Sequence, residues 1–212
     1  MKTRLFVRHA QSLSNAGFAT NSPGTIGLSE LGLRQAQAFA EQCDKAPELV
    51  VVSPYSRTSD TAAPLLAKFP DCPVITLPIH EFTFLAPARY AGTTEQDRRE
   101  PARNYWTNSD PDYCDGEGAE SFRAFIERIE SAFETICQRP ERHIIAFSHG
   151  YVMKALAWRL LSHERQVSSD YMSRFFGYHR AQVVCNTHVF PFVAHDTGEA
   201  SLLRTVAPPA LA

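Results

Sequence analysis

The sequence predicts an α/β fold in which a mainly parallel sheet lies between two layers of helices, a three-layer sandwich. Three observations predict it. Short, largely β-branched runs at residues 5–7, 49–52, 74–77 and 144–147 alternate with longer segments whose apolar residues recur at helical spacing. The connections between these runs are helix-length, which suits parallel crossovers and not hairpins. The 212 residues, 44% hydrophobic and 21% charged, match an ordinary globular composition and leave room for a sizeable core in one domain, 1–212.

In chain order, the strand at 5–7 leads to a helix from about 29 to 43, where Ser29 is an N-cap and Leu31, Ala36, Phe39 and Ala40 form one apolar stripe. The strand at 49–52 leads to a helix from about 56 to 68, and a third strand occupies 74–77. Residues 83 to about 117 break the rhythm with Pro87, Pro101 and Pro111 and a run of charge. Phe84, Tyr90, Tyr105, Trp106 and Tyr113 make this stretch too aromatic for a tether, so it reads as a small cap inserted into the fold. Tyr105 and Trp106 suit packing and lining a substrate mouth equally. A helix from about 120 to 137 follows, with Phe122, Phe125, Ile126, Ile129, Phe133 and Ile136 on one face. A strand at 144–147 and an apolar helix at 151–161, with Trp158 in the core, come next. Two strands at 182–192 and 201–206, separated by a turn at 195–198, suggest an antiparallel edge, and 208–212 reads as a loose tail.

Several function classes are excluded by charge and composition. The net charge is −2, from 21 basic and 23 acidic residues, so there is no overall field for a nucleic acid or an anionic membrane. Five scattered cysteines, without a CxxC pair, suggest reduced thiols in a cytoplasmic protein. The apolar run 5–7 is too short for a signal peptide, and no run approaches a membrane span.

Ligands of parallel sheets bind beyond the carboxyl ends of the strands. Here those ends carry Arg8 and His9, then Ser53 to Arg57 in sequence, then His80 and Glu81, then Ser148 and His149. Two guanidiniums aimed at one point repel unless an anion lies between them, and Arg57 falls in a first helical turn, where free N–H groups favour negative charge. The expected ligand is a phosphoryl group. His80 neighbours Glu81 and should face the other way if the segment is extended. His179, His188 and His195 have no metal-like spacing and read as structural or surface residues. Arg89, Arg98, Arg99 and Arg103 read as a solvated charged face in preference to a secondary anion site.

The chain resembles the histidine phosphatase superfamily, with its phosphoglycerate mutase-like fold. The resemblance rests on Val7-Arg8-His9-Ala10-Gln11-Ser12 with Asn15, Leu28-Ser29-Glu30-Leu31-Gly32, Ser53-Pro54-Tyr55-Ser56-Arg57-Thr58, Glu81, Gly118-Ala119-Glu120-Ser121 and Ser148-His149-Gly150, in family order. Ala10 departs from the glycine most members carry. The resemblance implies a phosphatase that hydrolyses a phosphomonoester of a small metabolite through a phosphohistidine, needing no metal and no cofactor. His9 would be the nucleophile and Glu81 the proton donor, with His149 as the third catalytic residue, while Arg8, Asn15, Arg57 and His149 would bind phosphate, His149 being protonated when phosphate is bound. It implies that the positive charges of Arg8 and Arg57 keep His9 neutral. A cofactor-dependent phosphoglycerate mutase is the alternative, disfavoured because Gln11-Ser12-Leu13-Ser14-Asn15 lacks the glutamate and tryptophan of such enzymes and Phe82 stands where they place arginine. A non-catalytic phosphate or phosphoprotein binding module is the alternative of another class.

Overall fold

Alternation along the strands sends successive side chains to two cores and so builds the layers. In the computed structural model, which describes residues 2–195 and 200–207, Val7, Val50, Val52, Ile145 and Phe147 pack to one side with Phe39, Ala40, Ala62 and Leu65. Phe6, Leu49, Val51, Ile144 and Ala146 face the other side, against Phe122, Phe125, Ile129, Val152, Tyr171 and Phe175. This is period-two patterning with both faces covered.

The strands are β1 (Lys2–Arg8), β2 (Leu49–Val52), β3 (Val74–Thr76), β4 (His143–Ser148), β5 (Val189–Ala194) and β6 (Ala200–Leu202). Their spatial order is β3-β2-β4-β1-β5-β6; the first four run parallel, β5 is antiparallel to β1, and β6 to β5. The helices α1 (Glu30–Glu41) and α2 (Ser56–Lys68) cover one face. The other carries α3 (Arg99–Asn108), α4 (Phe122–Gln138), α5 (Gly150–Ser162) and α6 (Ser169–Ala181). The fold is α/β with a mixed, mostly parallel six-stranded sheet.

Helix starts follow local chemistry. Ser29, Ser121 and Ser168 each accept a hydrogen bond from the backbone N–H three residues on, at the starts of α1, α4 and α6. Gly32 is required by a close approach: a Cβ there would stand 2.0 Å from the Gln11 carbonyl oxygen. Arg4, fully buried, donates to the carbonyls of Arg139 and Glu141 just beyond α4.

Two sequence expectations change, and one open alternative closes. The segment 182–192 is a strand only from Val189, because residues 182–188 form a loop in which Thr187 takes a left-handed φ of 58°. The strand expected at 201–206 is reduced to Ala200–Leu202 plus an isolated bridge at Val206. Tyr105 and Trp106 are packing residues, each under 5% exposed, within an aromatic cluster with Phe82, Phe84 and Phe122. Helix α6 is an addition to the sequence reading. Most of the turn expected at 195–198 and the tail at 208–212 lie outside the described residues. Among the described residues no helix is long and apolar enough to cross a membrane.

Candidate active site

Strand order fixes where the site forms. β1 and β4 are neighbours, with Arg8 in register with Ser148, yet β1 leads to α1 on one face and β4 leads to α5 on the other. Connections that diverge from adjacent strands leave a crevice at their carboxyl ends. His9 and His149 are the first residues past these strands, and the His9 N–H donates to the Ser148 carbonyl at 2.9 Å. Their rings lie 5.1 Å apart. Beside them is a cavity of about 130 Å³ whose wall includes Arg8, His9, Asn15, Arg57, Glu81 and Tyr90.

His9 has a defined tautomer. Its Nδ1 lies 2.7 Å from the carbonyl oxygen of Ala10, an acceptor only, so Nδ1 carries the proton. Nε2 then holds the lone pair and accepts from Arg57 Nε at 3.1 Å. The ring pKa is driven well below its ordinary value by burial first and by Arg57 and Arg8 second. The neutrality expected from the arginines alone therefore rests mainly on desolvation. Ala10 fits without displacement: it is fully buried, and its N–H donates to Thr61 Oγ1 at 3.0 Å.

Arg57 is the hub. Besides His9 it donates through Nη1 to the Pro23 carbonyl at 2.6 Å and through Nη2 to His149 Nδ1 at 3.1 Å. Burial lowers its pKa to about 10. At pH 7 the charged form still exceeds the neutral one by about a thousand-fold. Arg8 donates to the Val184 carbonyl, and its buried Nε has no acceptor among the described residues.

His149 stands one row behind the expected position. It is fully buried and contacts Arg57 and His9 instead of forming part of the cavity wall. Its Nδ1 accepts from Arg57 and its Nε2 lies 2.8 Å from Ser53 Oγ. Ser53 Oγ also accepts from the Tyr55 N–H and reaches Thr58 Oγ1, which leaves Nε2 of His149 as the donor. The ring is thus neutral here, and burial followed by the Arg57 charge keeps its pKa far down. The protonation expected with phosphate bound would require Arg57 to release Nδ1.

Glu81 is held by the start of α5. Its Oε1 accepts from the Tyr151 N–H at 3.0 Å and the Phe82 N–H at 3.2 Å. Ser148 Oγ donates to the Ile79 carbonyl at 2.8 Å and ties this segment to the end of β4. Burial raises the carboxyl's pKa against the opposing pull of Arg57 and Arg8. Such a group keeps its proton to higher pH than an ordinary glutamate. His80, as expected, faces away from the His9 cavity and belongs to an adjoining one. Of the four arginines read as a solvated face, Arg89 pairs with Asp115, while Arg98 is buried, donates to Thr93 and lies 4.3 Å from the Tyr90 ring centroid.

Sequence reasoning missed Asn186. Its Nδ2 donates to the His9 carbonyl at 2.8 Å and to Asn15 Oδ1 at 3.2 Å. Asn15 Oδ1 also accepts from the Ser12 N–H at 3.4 Å. With the oxygen engaged on that side, the Asn15 NH₂ group is the end left for an anion. The loop is pinned to β1 by bonds from Thr187 N–H to the Arg8 carbonyl and from Arg8 N–H to the His188 carbonyl. Replacing Asn186 by alanine should raise KM for phosphate esters about five- to tenfold with a smaller change in kcat, the worth of one oriented hydrogen bond. Steady-state kinetics alongside an Asn15→Ala variant check this, and additive losses in the double variant would contradict it.

Comparison with known proteins identifies the family and the fold. Residues 5–173 match the histidine phosphatase superfamily (branch 1). A metal-independent phosphoserine phosphatase of Arabidopsis thaliana is 30% identical over 161 residues, covering 74% of this chain and 67% of that protein. Two solved structures share the fold. The alpha-ribazole phosphatase of Shigella flexneri has a TM-score of 0.72 at 22% identity, covering 98% of this chain and 96% of that one. A phosphoserine phosphatase mutant of Entamoeba histolytica, in complex with phosphoserine, has a TM-score of 0.71 at 20% identity, covering 97% and 96%. The order of strand exits and the family match lead to one assignment: this chain belongs to branch 1 of the histidine phosphatase superfamily.

Proposed function

We propose that this protein hydrolyses phosphomonoesters of small metabolites through a phosphohistidine on His9. The observation that carries the reading is the Nε2 lone pair of a neutral, buried imidazole placed against the guanidinium of Arg57 on the wall of one cavity. A phosphoryl group entering there offers its oxygens to Arg57 and Arg8, which draws the Arg57 N–H groups toward the anion and frees the lone pair. Nε2 then forms a bond to phosphorus as the ester oxygen leaves, and charge on the three other oxygens is stabilised by the guanidiniums and Asn15. Glu81, protonated, gives its proton to the leaving alkoxide. As carboxylate it next takes a proton from water, whose oxygen attacks phosphorus, breaks the P–N bond and restores neutral His9. The relatives that act on phosphoserine support a small phosphorylated metabolite as substrate.

Glu81→Gln tests the proton donor. The variant should lose on the order of a hundred-fold or more in kcat with an alkyl phosphate, and far less with p-nitrophenyl phosphate, whose leaving group needs no proton. Equal losses on both would remove Glu81 from this role.

The pKa directions also set the pH profile. His9 must be neutral, and its lowered pKa keeps it so into acid; Glu81 must be protonated, and its raised pKa extends that state upward from the ordinary carboxylate range. Activity on alkyl phosphates should therefore fall on the alkaline side, at a pH above the range in which an ordinary glutamate titrates. In Glu81→Gln that alkaline decline should flatten, and an unchanged decline would assign it to another group.

A further inference from the structure

Glu81 stands on a stretch without helix or strand, residues 78–86, so no ladder of helix or sheet bonds holds its main chain. Side chains hold it instead. The carbonyls of Pro78 and His80 both accept from Nη1 of Arg128 on α4, at 2.6 and 3.1 Å. The carbonyl between them, of Ile79, accepts from Ser148 Oγ at 2.8 Å, and that of Glu81 itself accepts from Thr83 Oγ1 at 3.4 Å. On the far side of Glu81, Glu120 Oε1 accepts from the Thr83 N–H at 3.2 Å, and the Glu120 N–H donates to the Thr83 carbonyl at 3.0 Å.

Arg128 ties the two sides together. Its Nη1 fixes the chain one and three residues before Glu81, while its Nη2 and Nε grip the Glu120 carboxylate, at 2.5 and 3.0 Å, that fixes the chain two residues after. Both side chains are largely buried, at 16% and 17% exposed. The Arg128 guanidinium carbon lies 5.4 Å from the Phe125 ring centroid, and Phe82, next to Glu81, stacks on the same ring at 4.4 Å. The Glu81 carboxyl takes its direction from the N–H groups of Phe82 and Tyr151, so it follows wherever this backbone is set. Arg128 does not line the His9 cavity, and the positive charges acting on the Glu81 carboxyl are those of Arg57 and Arg8. Its route to the chemistry is therefore mechanical, through the segment it grips.

We propose that Arg128, locked to Glu120, is a positioning residue for proton transfer, holding segment 78–83 so that the Glu81 carboxyl stands within reach of the leaving oxygen. The proposal rests on the phosphatase reading above, in which Glu81 is the proton donor. A displacement of about 1 Å can cost a reacting group on the order of a hundred-fold in rate. A misplaced acid, however, slows only the ester whose leaving oxygen needs a proton. Arg128→Ala should therefore lower kcat for an alkyl phosphate by about tenfold or more and kcat for p-nitrophenyl phosphate by less than about threefold, with KM for both within about twofold of wild type. General damage to the fold would not make that distinction. Arg128→Lys keeps the charge and the stem, but one ammonium cannot serve two carbonyls and both Glu120 oxygens. It should show a smaller split in the same direction, about threefold, and serves if Arg128→Ala does not fold. In a Glu81→Gln background Arg128→Ala should cost less than about a further twofold on the alkyl ester, because the acid it positions is gone. Equal losses on the two esters, no loss on the alkyl ester, or full additivity with Glu81→Gln would overturn the positioning role. Those outcomes leave Glu81 as the acid as long as Glu81→Gln alone separates the two esters. If it does not separate them, the acid assignment falls and the positioning role falls with it.

Discussion

His9→Ala should lower kcat for p-nitrophenyl phosphate by on the order of a thousand-fold or more, because no second nucleophile replaces Nε2 in the covalent step. The fold should survive. His9 makes one local bond to its neighbour's carbonyl and accepts one from Arg57, and Arg57 keeps Pro23 and His149 as partners without it. The loss should therefore appear in kcat at an unchanged far-ultraviolet circular dichroism spectrum, with phosphate still binding. A variant that retains near-full turnover would remove His9 from the chemistry.

Arg57→Ala should cost on the order of a hundred-fold or more in kcat/KM through lost stabilisation of transition-state charge. A competing explanation is that the variant merely protonates His9, since Arg57 is one of the causes that lower its pKa. Burial, however, is the larger cause, so His9 should stay below its ordinary value without Arg57. The deficit should accordingly persist at every pH between about 5 and about 8. Recovery of wild-type rate at the alkaline end would assign Arg57 to pKa control alone. Arg57→Lys should recover little, because a single ammonium cannot reproduce three divergent N–H bonds to His9, Pro23 and His149.

Much of this site was legible because the chemistry sits where strands end. Arg8, His9, Arg57, Glu81 and His149 each follow a β-branched run closely, and the carboxyl-end rule brings them together without coordinates. Depth was not legible. Nothing local in Ser148-His149-Gly150 says that the imidazole sits behind Arg57, since that follows from the insertion of β4 between β2 and β1 and from the Ser53 and Thr58 hydroxyls. Asn186 was hidden for a different reason. Val183, Val184 and Val189 give 182–192 the look of a strand, while the turn depends on Thr187 in a left-handed conformation that β-branched residues avoid. Helix α6 carried a usable signal: Ser168 as N-cap, Asp170 in the first turn, and Tyr171, Met172 and Phe175 on the buried side. The packing role of Trp106 was not available, since an aromatic in a proline-rich segment fits a core or a mouth until its neighbours Phe82, Phe122 and Phe176 are known.

The covalent step is the centre of this account, and trapping it is the direct test. The protein is mixed with a radiolabelled phosphate ester, quenched in alkali within milliseconds, and its labelled peptide mapped. The account predicts up to one phosphoryl group per chain, acid-labile and alkali-stable, on the peptide containing His9 and absent from His9→Ala. Label on any other residue, or rapid turnover with no labelled protein at any quench time, would contradict it.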